Sequence, residues 1–297
     1  MIRIDHVSKR FGRFHAVRDV TLHVPEGDSV ALWGGNGAGK STLIRCVLGL
    51  LRCRGRVTVS DRDVRRHGKR ARRLIGYVPQ ELGFYDDLRA GEALTLFGRL
   101  KGLAPRDTRG AMERVGIGGH ERKRVRELSG GMKQRLALAI AMLGEPPVLV
   151  LDEVTASLDA CGRAELVALL TSLRGAGRTM LFASHRVEEV AALARRVVVL
   201  REGAIVSETP AHEFTDPGAS HAALHLIIPA TIRPEAMRVL EGSGFRPQLN
   251  GVGLVVPVSS DRKAAPFRVL TEAGLRVDDF DIIADTTPPA ARQEVAP

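Results

Sequence analysis

The chain has 297 residues, of which 44% are hydrophobic, and a formal net charge of +10 at pH 7. This length and apolar content suit one large domain and one small one and argue against a chain without a core. Aromatic residues make up only 4% of the chain, which argues against a single-strand nucleic-acid binder built on stacking platforms.

The start of the chain, MIRIDHVSKRFGRF, lacks the apolar stretch of a signal peptide, and no run of about 18 apolar residues follows. We therefore expect a cytoplasmic protein. The three cysteines, Cys46, Cys53 and Cys161, show no CxxC spacing, so they indicate neither a disulfide framework nor a zinc site.

The densest basic run, Arg62 to Arg73 (RDVRRHGKRARR), contains seven Lys or Arg and no interleaved aromatic residue. It is typical of a solvated helix face. Contact with phospholipid headgroups or with a membrane protein is the alternative interpretation.

Short β-branched runs bounded by turn residues predict strands in the first part of the chain, and apolar runs without alternation predict buried parallel strands later. The predicted strands are Arg3–His6, Val20–Val24, Val30–Trp33, Arg56–Val59, Val148–Leu151, Thr179–Ala183 and Val197–Leu200. Helical spacing falls between them, at Lys40–Leu50, Lys133–Leu143, Arg163–Arg174 and Val187–Ala194. This alternation indicates an α/β fold with a central, largely parallel sheet.

Two further regions have their own organisation. From about 82 to 135 the strand signal vanishes while helical spacing persists in Ala90–Lys101 and Thr108–Val115, which predicts an inserted helical subdomain. We place the end of the large domain, 1–215, before a linker of small and polar residues at 216–223.

The segment 224–285 is predicted to be a small α+β domain of the ferredoxin-like type, because its elements follow the order βαββαβ. The expected elements are a strand at Leu224–Ile228, a helix at Pro234–Glu241, a hairpin turning at Asn250-Gly251, a helix at Asp261–Ala273 and a strand at Val277–Ala284. We expect the tail, 286–297, to be disordered.

The most specific motif follows the strand that ends at Trp33. The sequence GGNGAGKST, residues 34 to 42, fits G-x-x-x-x-G-K-[ST] and opens a helix, which is the P-loop context. Glycines let backbone N–H groups surround phosphate oxygens, and the helix N-terminus adds a positive dipole end. The predicted nucleotide-binding residues are Gly34, Gly35, Asn36, Gly37, Ala38, Gly39, Lys40, Ser41 and Thr42.

Within this loop, Lys40 is expected to neutralise the β- and γ-phosphates of ATP, and the Ser41 hydroxyl to ligate Mg²⁺. A second feature supports the first: the apolar strand Val148–Leu151 delivers Asp152 and Glu153 to its carboxyl end. Asp152 is predicted to hold Mg²⁺, and Glu153 to act as the general base on the attacking water.

The sequence LSGGMKQR, residues 128 to 135, resembles the signature sequence of ABC ATPases, and the resemblance covers residues 1 to about 210. Ser129, Gly130 and Gly131 ahead of a helix form a second phosphate-binding nest. The resemblance implies a P-loop NTPase fold of the ABC cassette type and a head-to-tail homodimer. In such a dimer the nest of one subunit closes on the ATP that the P-loop of the other holds.

The same resemblance implies roles for four other positions. Phe11 corresponds to the aromatic residue that stacks on adenine, and Gln80 to the glutamine that senses Mg²⁺ and the attacking water while it faces a permease. His185 corresponds to the switch histidine that contacts the γ-phosphate, and Asp159 to the loop that links the two dimer sites. Three positions depart from the family pattern: Gly35 and Val154 replace prolines, and Met132 replaces the signature glutamine.

The expected function is that of the ATP-hydrolysing subunit of an ABC transporter, bound peripherally to the inner face of the cell membrane by a separate transmembrane permease. The small second domain resembles that of exporter-type ATPases of the ABC-2 class, which favours export and suggests dimer or regulatory contacts by 224–285. A soluble ABC ATPase acting on DNA or ribosomes is the first alternative, and a non-catalytic nucleotide-binding regulator is the second. We expect no nucleic-acid partner, because the chain has one compact cassette and no long coiled-coil insertion.

Overall fold

The computed structural model describes residues 1–104, 108, 110–214, 221–249, 253–259, 265–277 and 279–284. The chain divides into two compact units, Met1–Ala211 and His212–Pro297.

The first unit opens with a four-stranded antiparallel sheet that carries much of its apolar core. Its strands are β1 (Ile2–Phe11), β2 (Phe14–Val24), β4 (Arg54–Val59) and β5 (Arg62–Asp63). Their order is β2-β1-β4-β5. β1 and β2 form a long hairpin in which Phe11 and Phe14 are register partners at the turn.

A six-stranded sheet forms the centre of the same unit. Its strands are β3 (Ser29–Trp33), β6 (Ile75–Val78), β7 (Val148–Asp152), β8 (Thr179–Ala183), β9 (Arg196–Arg201) and β10 (Ala204–Pro210). The order is β10-β9-β3-β8-β7-β6, and every pairing is parallel except that of β10 with β9. β3, β7 and β8 are buried along their whole length, which confirms the prediction of a central, largely parallel sheet.

The helices of this unit are α1 (Lys40–Val47), α2 (Gly68–Arg73), α3 (Ala90–Lys101), α4 (Gly130–Met142), α5 (Ala160–Gly175) and α6 (Val187–Leu193). A short helix, α7 (Ala211–Phe214), begins at its last residue. α1 ends three residues earlier than predicted, because Gly49 turns the chain with a φ of 67°. Ser129 and Asp159 cap α4 and α5, so both helices begin three residues before the predicted starts.

Between residues 82 and 135 the described part of the chain contains helices and turns and no strand. The predicted helix Thr108–Val115 is wrong in its second half. Gly110 has a φ of 70°, and only Glu113–Val115 forms a short 3₁₀ helix, which Gly116 ends with a φ of 75°.

One lysine joins two helices of this region. The Nζ of Lys101, at the end of α3, donates hydrogen bonds of 3.0 Å to the carbonyls of Ile140, Ala141 and Leu143 at the end of α4. The last carbonyls of an α-helix lack the usual N–H partner four residues further on, so the ammonium group helps to satisfy this C-terminus, where the Ile140 carbonyl also accepts the Leu143 N–H at 3.2 Å. Burial lowers the pKa of Lys101 to about 8.

The second unit is a four-stranded antiparallel sheet with two helices. Its elements in chain order are β11 (His221–Ile227), α8 (Arg233–Gly242), β12 (Gln248–Leu249), β13 (Gly253–Ser259), α9 (Ala265–Glu272) and β14 (Asp279–Ala284). The strand order β12-β13-β11-β14 is that of a ferredoxin-like sheet. Its core consists of residues such as Leu224, Leu240, Val256 and Leu270.

The predicted linker at 216–223 is too long at its end, because β11 begins at His221 and pairs with β13 and β14 from there on. The predicted turn at Asn250-Gly251, the start of the helix at Asp261 and the tail at 286–297 lie outside the described residues. Within the described ranges, no helix has both the length and the hydropathy to cross a membrane.

Candidate functional site

The loop between β3 and α1 depends on glycine at two close approaches of the backbone. Gly34 and Gly39 have φ angles of 153° and 103°. A Cβ atom on Gly34 would lie 2.5 Å from the Leu200 carbonyl oxygen, and one on Gly39 would lie 2.4 Å from that of Ala16. Neither position therefore accepts a side chain, and the loop folds tightly around the start of α1. Gly35, where the family has proline, is uncrowded, since a Cβ there would contact nothing within 4 Å.

The Lys40 ammonium group is buried within this loop. Its Nζ donates hydrogen bonds to the carbonyls of Gly34, at 2.7 Å, and Gly35, at 3.3 Å. It also forms an ion pair of 3.1 Å with Oε1 of Glu153, and the two side chains are only 5% and 10% exposed. The protein thus holds a positive charge at the helix start without exposing it to bulk water.

Asp152 lies at the carboxyl end of β7, next to the P-loop helix. The Ser41 hydroxyl donates a hydrogen bond of 3.0 Å to Oδ1 of Asp152. Burial raises the pKa of this carboxyl, and the hydrogen bond from Ser41 opposes the shift. A hydroxyl, a carboxylate and the nearby Gln80 amide are hard oxygen donors of the kind that Mg²⁺ prefers, so the donor set fits this ion.

Glu153 follows in a backbone conformation that is rare for a residue with a side chain, with a φ of 47°. Its N–H donates to the Ala183 carbonyl at 3.1 Å, and its Oε2 lies 3.4 Å from Nδ1 of His185. The structure therefore brings Lys40, Glu153 and His185 into one contiguous group. Strain of this kind accumulates at functional sites, where the surrounding structure enforces it.

An open cavity of about 250 Å³ lies over the P-loop. Its lining consists of Phe14, Ala16, Gln80, Glu153 and the loop residues Asn36, Gly37, Ala38, Gly39, Lys40, Ser41 and Thr42. Gln80 reaches it from the loop after β6.

The aromatic residue at the cavity is Phe14, across the hairpin turn from Phe11. The Phe11 ring is half-exposed and lies 4.8 Å from the Lys9 ammonium. Stacking of adenine on Phe11 stays a prediction, and Phe14 is a second candidate for that role.

The signature residues lie apart from this cavity. The Ser129 hydroxyl accepts a hydrogen bond of 3.3 Å from the N–H of Met132, which caps α4. Ser129 and Gly130 are exposed and Gly131 is half-buried, and none of the three lines the cavity. Asp159 likewise caps α5, since its Oδ1 accepts a hydrogen bond of 2.8 Å from Gly162 N–H. Its side chain is exposed and does not line the cavity either.

The sequence analysis missed a buried carboxylate behind the site. Glu189, on α6, is only 4% exposed and accepts hydrogen bonds from the hydroxyls of Ser184, at 2.7 Å, and Thr155. A signal was present, because Glu189 precedes Leu193 by four residues and so falls on the buried face of its helix. The two hydroxyls belong to distant segments, which no local pattern relates.

Comparison with known proteins identifies the family of the chain. Residues 17–156 match the family model described as ABC transporter. The chain is 35% identical over 285 residues to the daunorubicin resistance ATP-binding protein DrrA3 of Streptomyces coeruleorubidus, covering 94% of this chain and 90% of that protein. It is 33% identical over 278 residues to the sulfate/thiosulfate import ATP-binding protein CysA of a Synechocystis strain, covering 92% and 78%.

Among solved structures, an ATP-binding subunit of an ABC transporter superposes with a TM-score of 0.65 at 25% identity, covering 72% of this chain and 91% of that one. The range matched by the family model, 17–156, includes the P-loop, the signature and the paired acids, in that order along the chain. The chain therefore belongs to the ABC transporter family, and it is an ATP-binding subunit that hydrolyses ATP.

Proposed function

We propose that two copies of this chain bind two Mg-ATP head to tail and thereby drive a separately encoded transmembrane permease. The observation that supports this most is the exposure of Ser129 and Gly130, a phosphate-binding nest outside the cavity of its own chain. One chain does not need two nests for one γ-phosphate. A second copy that presents its nest to the open cavity uses both.

The residues of the cavity have distinct tasks in this proposal. Lys40 and the loop N–H groups bind the phosphates, while Ser41, Gln80 and Asp152 would hold the Mg²⁺, which neutralises phosphate charge. In the structure Lys40 is paired with Glu153. A γ-phosphate offers Lys40 another anionic partner, which frees the Glu153 carboxylate to accept a proton from the attacking water.

His185 supplies the remaining polar contact of the site. Its ring is half-exposed, at 49%, and Nδ1 is already within 3.4 Å of Glu153 Oε2. This exposure suits a residue that must contact a γ-phosphate entering from the open side of the cavity. Charge stabilisation and positioning then account for catalysis, as in phosphoryl transfer generally.

The proposed direction of transport is export, with the chain on the inner face of the cell membrane. Support comes from the similarity to a daunorubicin resistance ATP-binding protein over nearly the whole length of both chains. The import protein is matched over a smaller share of its own length, 78% against 90%, so the comparison with the resistance protein carries more weight.

The central test replaces Glu153 by Gln. We expect ATP turnover to stop, because Gln cannot take a proton from water, while the variant still binds ATP and accumulates as a dimer. Phosphate release and size-exclusion chromatography with light scattering measure the two effects, with the exposed Glu26→Gln as the matched control. Hydrolysis at the normal rate by Glu153→Gln would refute the role of Glu153.

Affinity capture of the tagged chain from membranes tests the partner. A co-purifying polytopic membrane protein supports the transporter. Nucleic acid or ribosomes in its place would support the alternative of a soluble ABC ATPase, and absence of both together with absence of ATPase activity would support a regulator.

For the second unit we propose dimer or regulatory contacts. Its own core and four-stranded antiparallel sheet argue for an independent module. Deletion of residues 212–297 is expected to change ATP-dependent dimerisation or the ATPase rate. A truncated protein with both properties unchanged would contradict the proposal.

A further inference from the structure

Glu189 lies at the junction of the two loops that carry the proposed catalytic groups. The first loop follows β7 and contains Glu153, Thr155 and Asp159. The second follows β8 and contains Ser184 and His185. Each loop donates one hydroxyl hydrogen bond to the Glu189 carboxylate, from Thr155 to Oε1 and from Ser184 to Oε2 at 2.7 Å.

All three members of this junction are buried. Glu189, Thr155 and Ser184 are 4%, 2% and 2% exposed. An ionised carboxylate has only acceptor sites, so both hydroxyls must turn their hydrogens toward it. A buried carboxylate is tolerated only when its oxygens accept hydrogen bonds. Here each oxygen accepts one hydrogen bond, and the two donors belong to different loops.

The junction also fixes the backbone on both sides of His185. The Ser184 hydroxyl, while donating to Glu189, accepts a hydrogen bond of 3.0 Å from the Arg186 N–H. The Arg186 Nε lies 3.8 Å from Glu189 Oε1, so a guanidinium group is also close to this carboxylate. The backbone is therefore fixed on both sides of His185, at Ser184 and at Arg186.

The other loop is held in the same way. Thr155 lies two residues after Glu153, whose carbonyl accepts the Ala156 N–H at 3.1 Å, and the Thr155 carbonyl accepts the Leu158 N–H at 3.1 Å. Asp159 follows directly. A carboxylate that fixes Thr155 thus fixes the turn between the proposed general base and the loop at Asp159.

From this geometry we infer that Glu189 is a positioning residue for ATP hydrolysis. It maintains the contact between Glu153 and His185 by clamping the two loops together, and it touches neither nucleotide nor the attacking water. The inference rests on the proposed ATPase function. It assigns a catalytic consequence to a buried group that belongs neither to the P-loop nor to the signature.

The test compares Glu189→Gln with Glu188→Gln in the full-length protein. Glu188 is exposed on the same helix, so its substitution controls for the loss of one negative charge near the site. We expect Glu189→Gln to lower kcat by about 10- to 100-fold and to change KM for ATP by less than about threefold, because the P-loop lies on other elements. Glu188→Gln should stay within about twofold of the parent protein.

Two further variants separate positioning from a general loss of folding. Thr155→Ser keeps the hydroxyl and should retain most of the parent protein's activity. Thr155→Val removes the hydroxyl and should resemble Glu189→Gln. The number of ATP molecules bound per chain should stay unchanged in all of these variants, which excludes a smaller folded fraction as the cause.

A double variant identifies the route of the effect. If Glu189 acts through His185, then Glu189→Gln adds little to the loss caused by His185→Ala. Multiplied losses in the double variant, or an unchanged kcat in Glu189→Gln, would overturn the inference. An inactive parent protein would instead refute the proposed function itself.

Discussion

The buried pair of Lys40 and Glu153 makes a quantitative prediction for the nucleotide-free protein. At a separation of 3.1 Å, two unit charges attract each other by about 5 kcal/mol at an effective dielectric constant of about 20. Desolvation of both groups offsets most of this attraction. The cost therefore appears chiefly when one partner is removed and the other stays buried.

The two single variants should differ in their effect. Lys40→Met leaves the Glu153 carboxylate, 10% exposed, without its lysine partner and with the His185 ring 3.4 Å away, and we expect a loss of about 3 kcal/mol in the free energy of unfolding. Glu153→Gln leaves Lys40 with the carbonyls of Gly34 and Gly35, so we expect only about 1 kcal/mol.

The double variant should lose about 2 kcal/mol, less than the sum of the single losses, since it leaves no unpaired buried charge. Urea unfolding followed by fluorescence measures this directly, because the single tryptophan, Trp33, is buried at the end of β3 beside the P-loop. Losses that add to within about 0.5 kcal/mol would show that the pair does not stabilise the ligand-free site and would refute the reasoning.

Three other predictions concern separate parts of the chain. Phe11→Ala should weaken ATP binding by about tenfold and Phe14→Ala by about threefold, as measured by calorimetry, and the reverse order would make Phe14 the adenine platform. Lys101→Met should lower the Tm by about 5 °C, because three carbonyls at the end of α4 lose their donor. Alkylation of Cys53 should reach half its maximal rate near pH 7, since a hydrogen bond from the Cys46 thiol lowers the pKa of Cys53 to about 7.

Two of these predictions have a control in the same chain. Lys123 is exposed, so Lys123→Met should leave the Tm within about 1 °C. Cys46→Ala removes the hydrogen bond and should move the alkylation midpoint of Cys53 to higher pH. A midpoint that stays near pH 7 in Cys46→Ala would contradict the stated cause.

Local motifs with a strong physical requirement were predictable from sequence. The P-loop needs glycine where its backbone passes close to another segment, as Gly39 does. The two acids follow the apolar run of β7 directly, which places them at the same edge of the sheet as the P-loop. The signature could be recognised because Ser129 both caps a helix and precedes two glycines. These features lie within a few residues of each other, which is the range over which sequence patterns carry information.

Elements that depend on distant partners were not predictable. β10, Ala204–Pro210, is an exception, because its partner β9 is adjacent in sequence, but the strand lies at the edge of the sheet with no buried residue, so its sequence lacks an apolar signature. β6 has four residues, and its Gly76 is required because a Cβ there would lie 2.6 Å from the Ala141 carbonyl oxygen. The junction at Glu189 joins residues 34 positions apart. Such contacts are set by the sheet order, which no single segment encodes.

Lys101 contacts one end of α4, and the predicted phosphate-binding residue Ser129 lies at the other end of the same helix. α4 has 13 residues, which at about 1.5 Å per residue span about 20 Å, and Ser129 caps its first turn. In the dimer proposed above, a load that rotates α3 would be transmitted through Lys101 and along the length of α4 to Ser129, and so to a nucleotide bound by the partner subunit.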